Sequence, residues 1–182
     1  MRAMKYAAVL LIAATGAAQA QGAPAPAPAQ PAAAGGQPQT PPPPARGPAI
    51  DLAIEAAQAA LEAGKSADQK VAVSVIDSAG VLKAVLVGDG VGPRAVQNSN
   101  FKAQAALAFK ESSGALAEKV KTDKALADKV AANPNYLARQ GAILIKVGDE
   151  IIGAIGVGGA RGSDKDEQYA FVALQRVQAR LK

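Results

Sequence analysis

The sequence predicts an α+β domain: a mainly antiparallel sheet made of two hairpins, covered by helices. Three observations carry this. Two pairs of apolar, β-branched runs are each joined by a turn too short to hold a crossover helix, so each pair must be antiparallel. Segments with helical periodicity stand before, between and after those pairs. The resulting order, α-β-β-α-(α)-β-β-α, lacks the strand–helix–strand alternation of a doubly wound nucleotide fold.

The elements follow in chain order. The 182-residue chain opens with "MRAMKYAAVLLIAATGAAQA". Arg2 and Lys5 supply a positive start, residues 7–14 are apolar, and Ala18-Gln19-Ala20 fits a small-x-small cleavage pattern. Residues 1–20 therefore read as a secretory signal peptide, with an apolar run too short to be a spanning helix. The mature chain is expected in a periplasm or the medium. Residues 21–48 carry ten of the twelve prolines and a single charge, Arg46. Without apolar periodicity, such a segment cannot offset its ordering entropy and reads as a disordered, semi-extended linker. Residues 49–182 are the length of one ordinary domain.

Within that domain, "IDLAIEAAQAALEAG" places Ile50, Ile54, Ala57 and Leu61 on one helical stripe, with Gly64 as its C-cap. "VAVSVID" alternates Val71, Val73 and Val75 against Ala72, Ser74 and Ile76, and "VLKAVLV" returns after the turn "DSAG". A helix starts near Pro93, with Val96, Ala103 and Leu107 along one stripe. One or two short helices follow before Pro134. "GAILIKV" and "IIGAIGV" make the second hairpin around "GDE". A last helix starts near Ser163 and buries Ala170, Ala173, Val177 and Leu181.

The stretch "IGAIGVGGARGSDKDE", residues 152–167, resembles a phosphate-binding turn, because glycines precede a helix. Spacing argues against it. From Gly156 and Gly158 the third glycine of a dinucleotide fingerprint falls on Arg161, and no G-x-x-x-x-G-K-[ST] string exists. Asp164 and Asp166 at the helix start would repel a phosphate. The stretch reads instead as a close-packed strand, a tight turn at Gly158, Gly159 and Gly162, and a helix capped by Ser163 with Asp166.

Composition excludes whole classes of chemistry. With no cysteine and no histidine there is no disulfide, thiolate site, imidazole base or Ser-His-Asp triad. Loss of Arg2 and Lys5 with the signal takes the net charge from +5 to +3, without a basic patch interleaved with aromatics, so no nucleic-acid partner is expected. No paired carboxylates or activated nucleophile emerge.

"VIDSAG" at 75–80, "GDG" at 88–90, "KAQAALAF" at 102–109, and "GDEIIGAIGVGG" followed by the acidic pair at 166 and 167 occur in this order. Together they resemble the GlcG/HbpS family of haem-binding, or haem-degrading, domains. The resemblance implies a profilin-like α-β-α layered fold, self-assembly into homo-oligomers, and haem or a related tetrapyrrole as ligand. It also implies a role as scavenger or as part of a redox or haem sensor, with a sensor or envelope protein as partner. In the absence of histidine, the axial ligands it leaves are Tyr136, Tyr169, a lysine such as Lys102, a hydroxyl or water.

The candidate cofactor-binding residues are therefore Lys102, Phe109, Tyr136, Tyr169, Asp89, Gly156 and Gly158. Each has a plainer alternative. Lys102 could pair with a propionate or form a surface or intersubunit ion pair. Asp89 could hold a ligand or shape a turn. Phe101 and Phe109 could stack on a porphyrin or pack in the core. Asp166 and Glu167 could bind a surface metal or cap the helix. The bare backbone at Gly156 and Gly158 could admit a porphyrin or a neighbouring subunit. Two other functions stay open: an oligomeric interaction module without cofactor, and an accessory protein or enzyme of small hydroxy-acid (glycolate) metabolism.

Overall fold

A computed structural model describes residues 44–182. The signal peptide, and the linker up to residue 43, lie outside the described residues. A four-stranded antiparallel sheet in the order β2-β1-β4-β3 forms the middle layer. It consists of β1 (Ala72–Asp77), β2 (Leu82–Val87), β3 (Ala142–Val147) and β4 (Glu150–Gly158). The two predicted hairpins join through β1 and β4, which places Ser74 opposite Gly156 and Ala72 opposite Gly158. β1 is central and covered on both faces, so all six of its residues are buried.

One face carries helices α1 (Ile50–Ser66) and α5 (Ser163–Val177), over a core of Val71, Val73, Val75, Ile145, Ile155 and Val157. The other face carries α2 (Pro93–Phe109), over Ile76, Ala142 and Ala154. The short helices α3 (Ser113–Lys119) and α4 (Lys124–Ala131) lie beyond α2. Ser112 and Asp123 cap them, accepting from the amides of Ala115 and Leu126 at 3.1 and 2.9 Å. Leu116 and Val130 join Phe109 and Tyr136 in a third apolar cluster. This is the layered α-β-α arrangement that the family resemblance implies.

Two expectations for α1 are corrected. Its buried face is Ala53, Ala56, Ala57, Ala60 and Gly64, whereas Ile50 and Ile54 are 53% and 39% exposed. α1 packs beside α5, which presents Ala170 and Ala173, and methyl-sized side chains let two helices approach closely. Gly64 is not a cap, because the helix continues to Ser66. A Cβ there would lie 2.8 Å from Val71 Cγ2, so glycine makes room for β1. On α5, Leu181 falls beyond the helix end and is half-buried.

Residues 46–48, assigned by sequence to the linker, are built into the domain. Arg46 donates its amide to Ser78 Oγ at 2.9 Å and accepts from the Ser78 amide at 2.8 Å. Its guanidinium pairs with Glu150, and Pro48 is buried. The chain thus enters the fold across the β1–β2 and β3–β4 turns. Among the described residues no helix is long and apolar enough to cross a membrane.

Candidate functional site

The glycine-rich strand β4 lies under α2, and the contact is backbone on backbone. A Cβ on Gly156 would collide with the carbonyl oxygen of Ser99, and one on Gly158 would lie 2.6 Å from the carbonyl oxygen of Ala95. The space beside these glycines is filled by this chain's own helix, which leaves none for a porphyrin or a second subunit. Gly158 belongs to the strand rather than the turn, which Gly159 and Gly162 make with φ of +114° and +120°.

Lys102 sits in this seam. It is 1% exposed, and its Nζ donates to Asp166 Oδ2 at 2.6 Å and to the Val157 carbonyl at 3.0 Å. Asp166 Oδ1 in turn accepts from the Ala160 amide at 2.9 Å. The expected capping box is therefore absent: Gly162 is the N-cap, and no side chain bonds to it. Asp166 instead ties the start of α5 to α2 and to the end of β4. Burial pushes Lys102 down from its ordinary value and Asp166 up, while their mutual attraction opposes both shifts. Gly141 closes the knot, since at φ +132° it leaves room for Lys102 Nζ, which a Cβ would meet at 2.5 Å. A surface or intersubunit role for Lys102, and contact with an external propionate, are both replaced by this internal pair. A second polar link, Ser74 Oγ to Ser99 Oγ at 2.7 Å, lies in the same seam.

Tyr169 is 7% exposed and belongs to the main core, where burial raises its hydroxyl above the ordinary value. Asp89 is exposed in the turn after β2, beside Gly90 at φ +71°. There it lines a cleft of about 370 Å³ with Leu61, Val71, Val87, Lys65 and Lys70. That cleft lies at the end of the sheet where β1 begins and β2 ends.

Tyr136 lies at the opposite end, where β1 ends and β4 begins. It lines a depression of about 350 Å³ with Ser78, Gln104, Leu107, Lys110 and Ile151. The loop that carries it is held firmly. The Tyr136 amide donates to the Asn133 carbonyl at 3.0 Å, and the Leu137 amide donates to the Phe101 carbonyl at 3.2 Å. Phe109 meets the Tyr136 ring edge-on, with centroids 5.7 Å apart and planes at 77°. Phe109 thus supports Tyr136 from the apolar cluster behind it. Phe101 is half-buried on α2 and anchors the loop through its carbonyl.

The structure therefore spreads the seven candidates over four places: the seam, the main core, and the two ends of the sheet. Of the axial-ligand candidates Tyr136, Tyr169 and Lys102, only Tyr136, backed by Phe109, lines an open depression. Sequence reasoning missed Ser78, Gln104, Lys110 and Ile151, which tertiary folding brings to that depression from separate elements. Lys110, which the helical pattern from Pro93 runs into, instead closes α2 in a left-handed conformation at φ +57°. Among the described residues no group of three or more acidic side chains is placed to hold a metal ion.

The comparisons with known proteins agree with this fold. The chain is similar to the crystal structure of HbpS, at 30% identity over 79% of this chain and 97% of HbpS, with a TM-score of 0.66. It is similar to a double mutant of HbpS from Streptomyces reticuli, at 31% identity over 82% and 97% of the two chains, with a TM-score of 0.65. A PduOC–haem complex matches in fold alone, at 18% identity over 71% and 94%, with a TM-score of 0.65. Among curated proteins none matches. The family model described as haem degrading protein HbpS-like matches residues 49–175. The chain belongs to the HbpS-like family.

Proposed function

We propose that the domain binds haem or a related tetrapyrrole at the depression lined by Tyr136. The observation that carries this reading is the Tyr136 phenol. Of the axial candidates Tyr136, Tyr169 and Lys102, it alone lines an open depression, and its hydroxyl makes no hydrogen bond among the described residues. The donor set suits the ligand. A phenol oxygen is an established axial donor to haem iron. The Lys110 ammonium matches a propionate, and Leu107 and Ile151 offer apolar surface to the ring. Family membership supports the same ligand class, as does the likeness in fold to the PduOC–haem complex. When bound, the tetrapyrrole supplies the redox chemistry. The chain binds, orients and shields it.

The test is a titration of hemin into the full chain, followed by absorbance. A Soret band that saturates at a defined stoichiometry is expected. No spectral change at micromolar protein would sink the reading. Tyr169→Phe should bind as the wild type does, because Tyr169 lies in the main core.

Export and assembly complete the reading. Export rests on the pattern at residues 2–20, and a mature N-terminus at Gln21 in the exported fraction is expected. Homo-oligomerisation is favoured by the edge strand β2 and the residue before it, where Val81, Leu82 and Val87 are exposed. Light scattering that finds only monomers would count against it.

A further inference from the structure

We propose that the Tyr136 depression selects the metal as well as the macrocycle. It holds tetrapyrroles that carry a hard trivalent cation, such as ferric iron, and discriminates against ferrous and metal-free forms. This rests on the haem-binding reading above.

The domain's donor inventory is unusually narrow. There is no histidine or cysteine, and the two methionines are at positions 1 and 4. Neither imidazole nor sulfur, the donors that stabilise divalent iron, can reach the depression from within this domain. Its other side-chain polar groups are neutral or cationic, and none supplies an anionic oxygen. Ser78 Oγ accepts from the Arg46 amide, and Gln104 Nε2 donates to the Gly80 carbonyl at 2.7 Å. The Lys110 ammonium offers donors and no lone pair. Tyr136 remains, and its oxygen becomes an anionic, hard donor on binding. The O–H bond breaks, the proton passes to bulk water, and the oxygen lone pair goes to the metal. Nothing is oxidised or reduced in this step. Such a donor favours a trivalent cation over a divalent one and contributes nothing to a metal-free ring. The Phe109 contact and the Leu137–Phe101 bond hold the phenol in place beforehand, so little ordering is left for binding. A one-electron reductant acting on the bound ferric form would therefore loosen it.

The test compares four probes on the full chain without oxygen: ferric haem, gallium(III) protoporphyrin, metal-free protoporphyrin, and haem reduced with dithionite. Gallium separates hardness from redox chemistry. The two trivalent forms should bind at least about tenfold tighter than the other two. Tyr136→Phe keeps the ring and its contact with Phe109. It should reduce the trivalent advantage to below about threefold while leaving metal-free affinity unchanged. Tyr136→His, which adds an imidazole, should bring ferrous affinity to within about threefold of ferric. Equal ferric and ferrous affinities in the wild type, or a trivalent advantage that survives Tyr136→Phe, would overturn the inference and leave haem binding standing. Failure of all four probes to bind would overturn the haem reading itself.

Discussion

The seam between α2 and β4 and the depression at Tyr136 lie along the same helix, yet they are built on opposite principles. In the seam everything is close. Glycine meets backbone, a lysine meets an aspartate, and no surface remains for a ligand. At the depression the side chains come from separate elements and leave a phenol open. Most of the motifs that make this chain recognisable as a family member, "KAQAALAF", the glycines of β4 and the acid at 166, fall in the seam. They report how the fold is closed. The motifs also supply walls of the depression, through Ser78, Gln104, Leu107 and Ile151, but Tyr136 and Lys110, the phenol and the ammonium that would meet a ligand, lie outside them, so a family signature need not mark the donor.

The largest expected effect tests the seam. Gly156→Ala should cost about 4 kcal/mol or more, because the new methyl group collides with backbone that cannot move. Gly92→Ala is the control, since a Cβ there meets nothing within 4 Å. Urea unfolding that finds both variants equally stable would break the picture of a seam without slack.

Next in size is the ion pair. Lys102→Met should cost about 3–5 kcal/mol by stranding the Asp166 carboxylate, and adding Asp166→Leu should recover most of that loss. A double variant no better than the single one would show that the pair is not the unit. Its pH dependence has a definite sign. Asp166 is raised above 3.8, so the native state binds more protons just above that pH, and stability falls there as pH rises. Lys102 is lowered below 10.5, so the unfolded state binds more protons just below that pH, and stability rises there with pH. Both slopes should vanish in the double variant when urea midpoints are followed across these two windows.

At the open end the expectation inverts. Tyr136→Phe should change stability by less than about 0.5 kcal/mol, since its hydroxyl has no partner to lose, while costing ferric haem about tenfold in affinity. A stability loss as large as that of the seam variants would erase the contrast between the two regions. Smallest of all is Asn100→Leu. Asn100 Oδ1 is a buried acceptor without a partner, so its removal should be close to neutral in thermal unfolding.

Much of the fold could be read locally. β-Branched runs joined by short turns made the hairpins, and helical spacing located α1, α2 and α5 and left α3 and α4 as one or two short helices, because these signals depend on near neighbours. The alanine face of α1 was misjudged for a physical reason. Hydrophobicity pointed to Ile50 and Ile54, but the distance to α5 decided which side could be buried. Lys102 was unreadable because its partner is 64 residues away and appears only when α5 docks. Asp166 looked like a cap because local spacing allowed it, and a buried ammonium outcompeted the free amides of the helix end.

By itself, the sequence determined the antiparallel sheet of two hairpins with its covering helices and the absence of imidazole and thiolate chemistry, since each follows from composition or short-range pattern, while the layered arrangement came with the resemblance that its ordered motifs carry. Only the tertiary structure decided that the glycines of β4 serve α2, that Lys102 and Asp166 are an internal pair, and that Tyr136 rather than Tyr169 is open. Those outcomes depend on which surfaces meet across the sheet, and no local spacing encodes that.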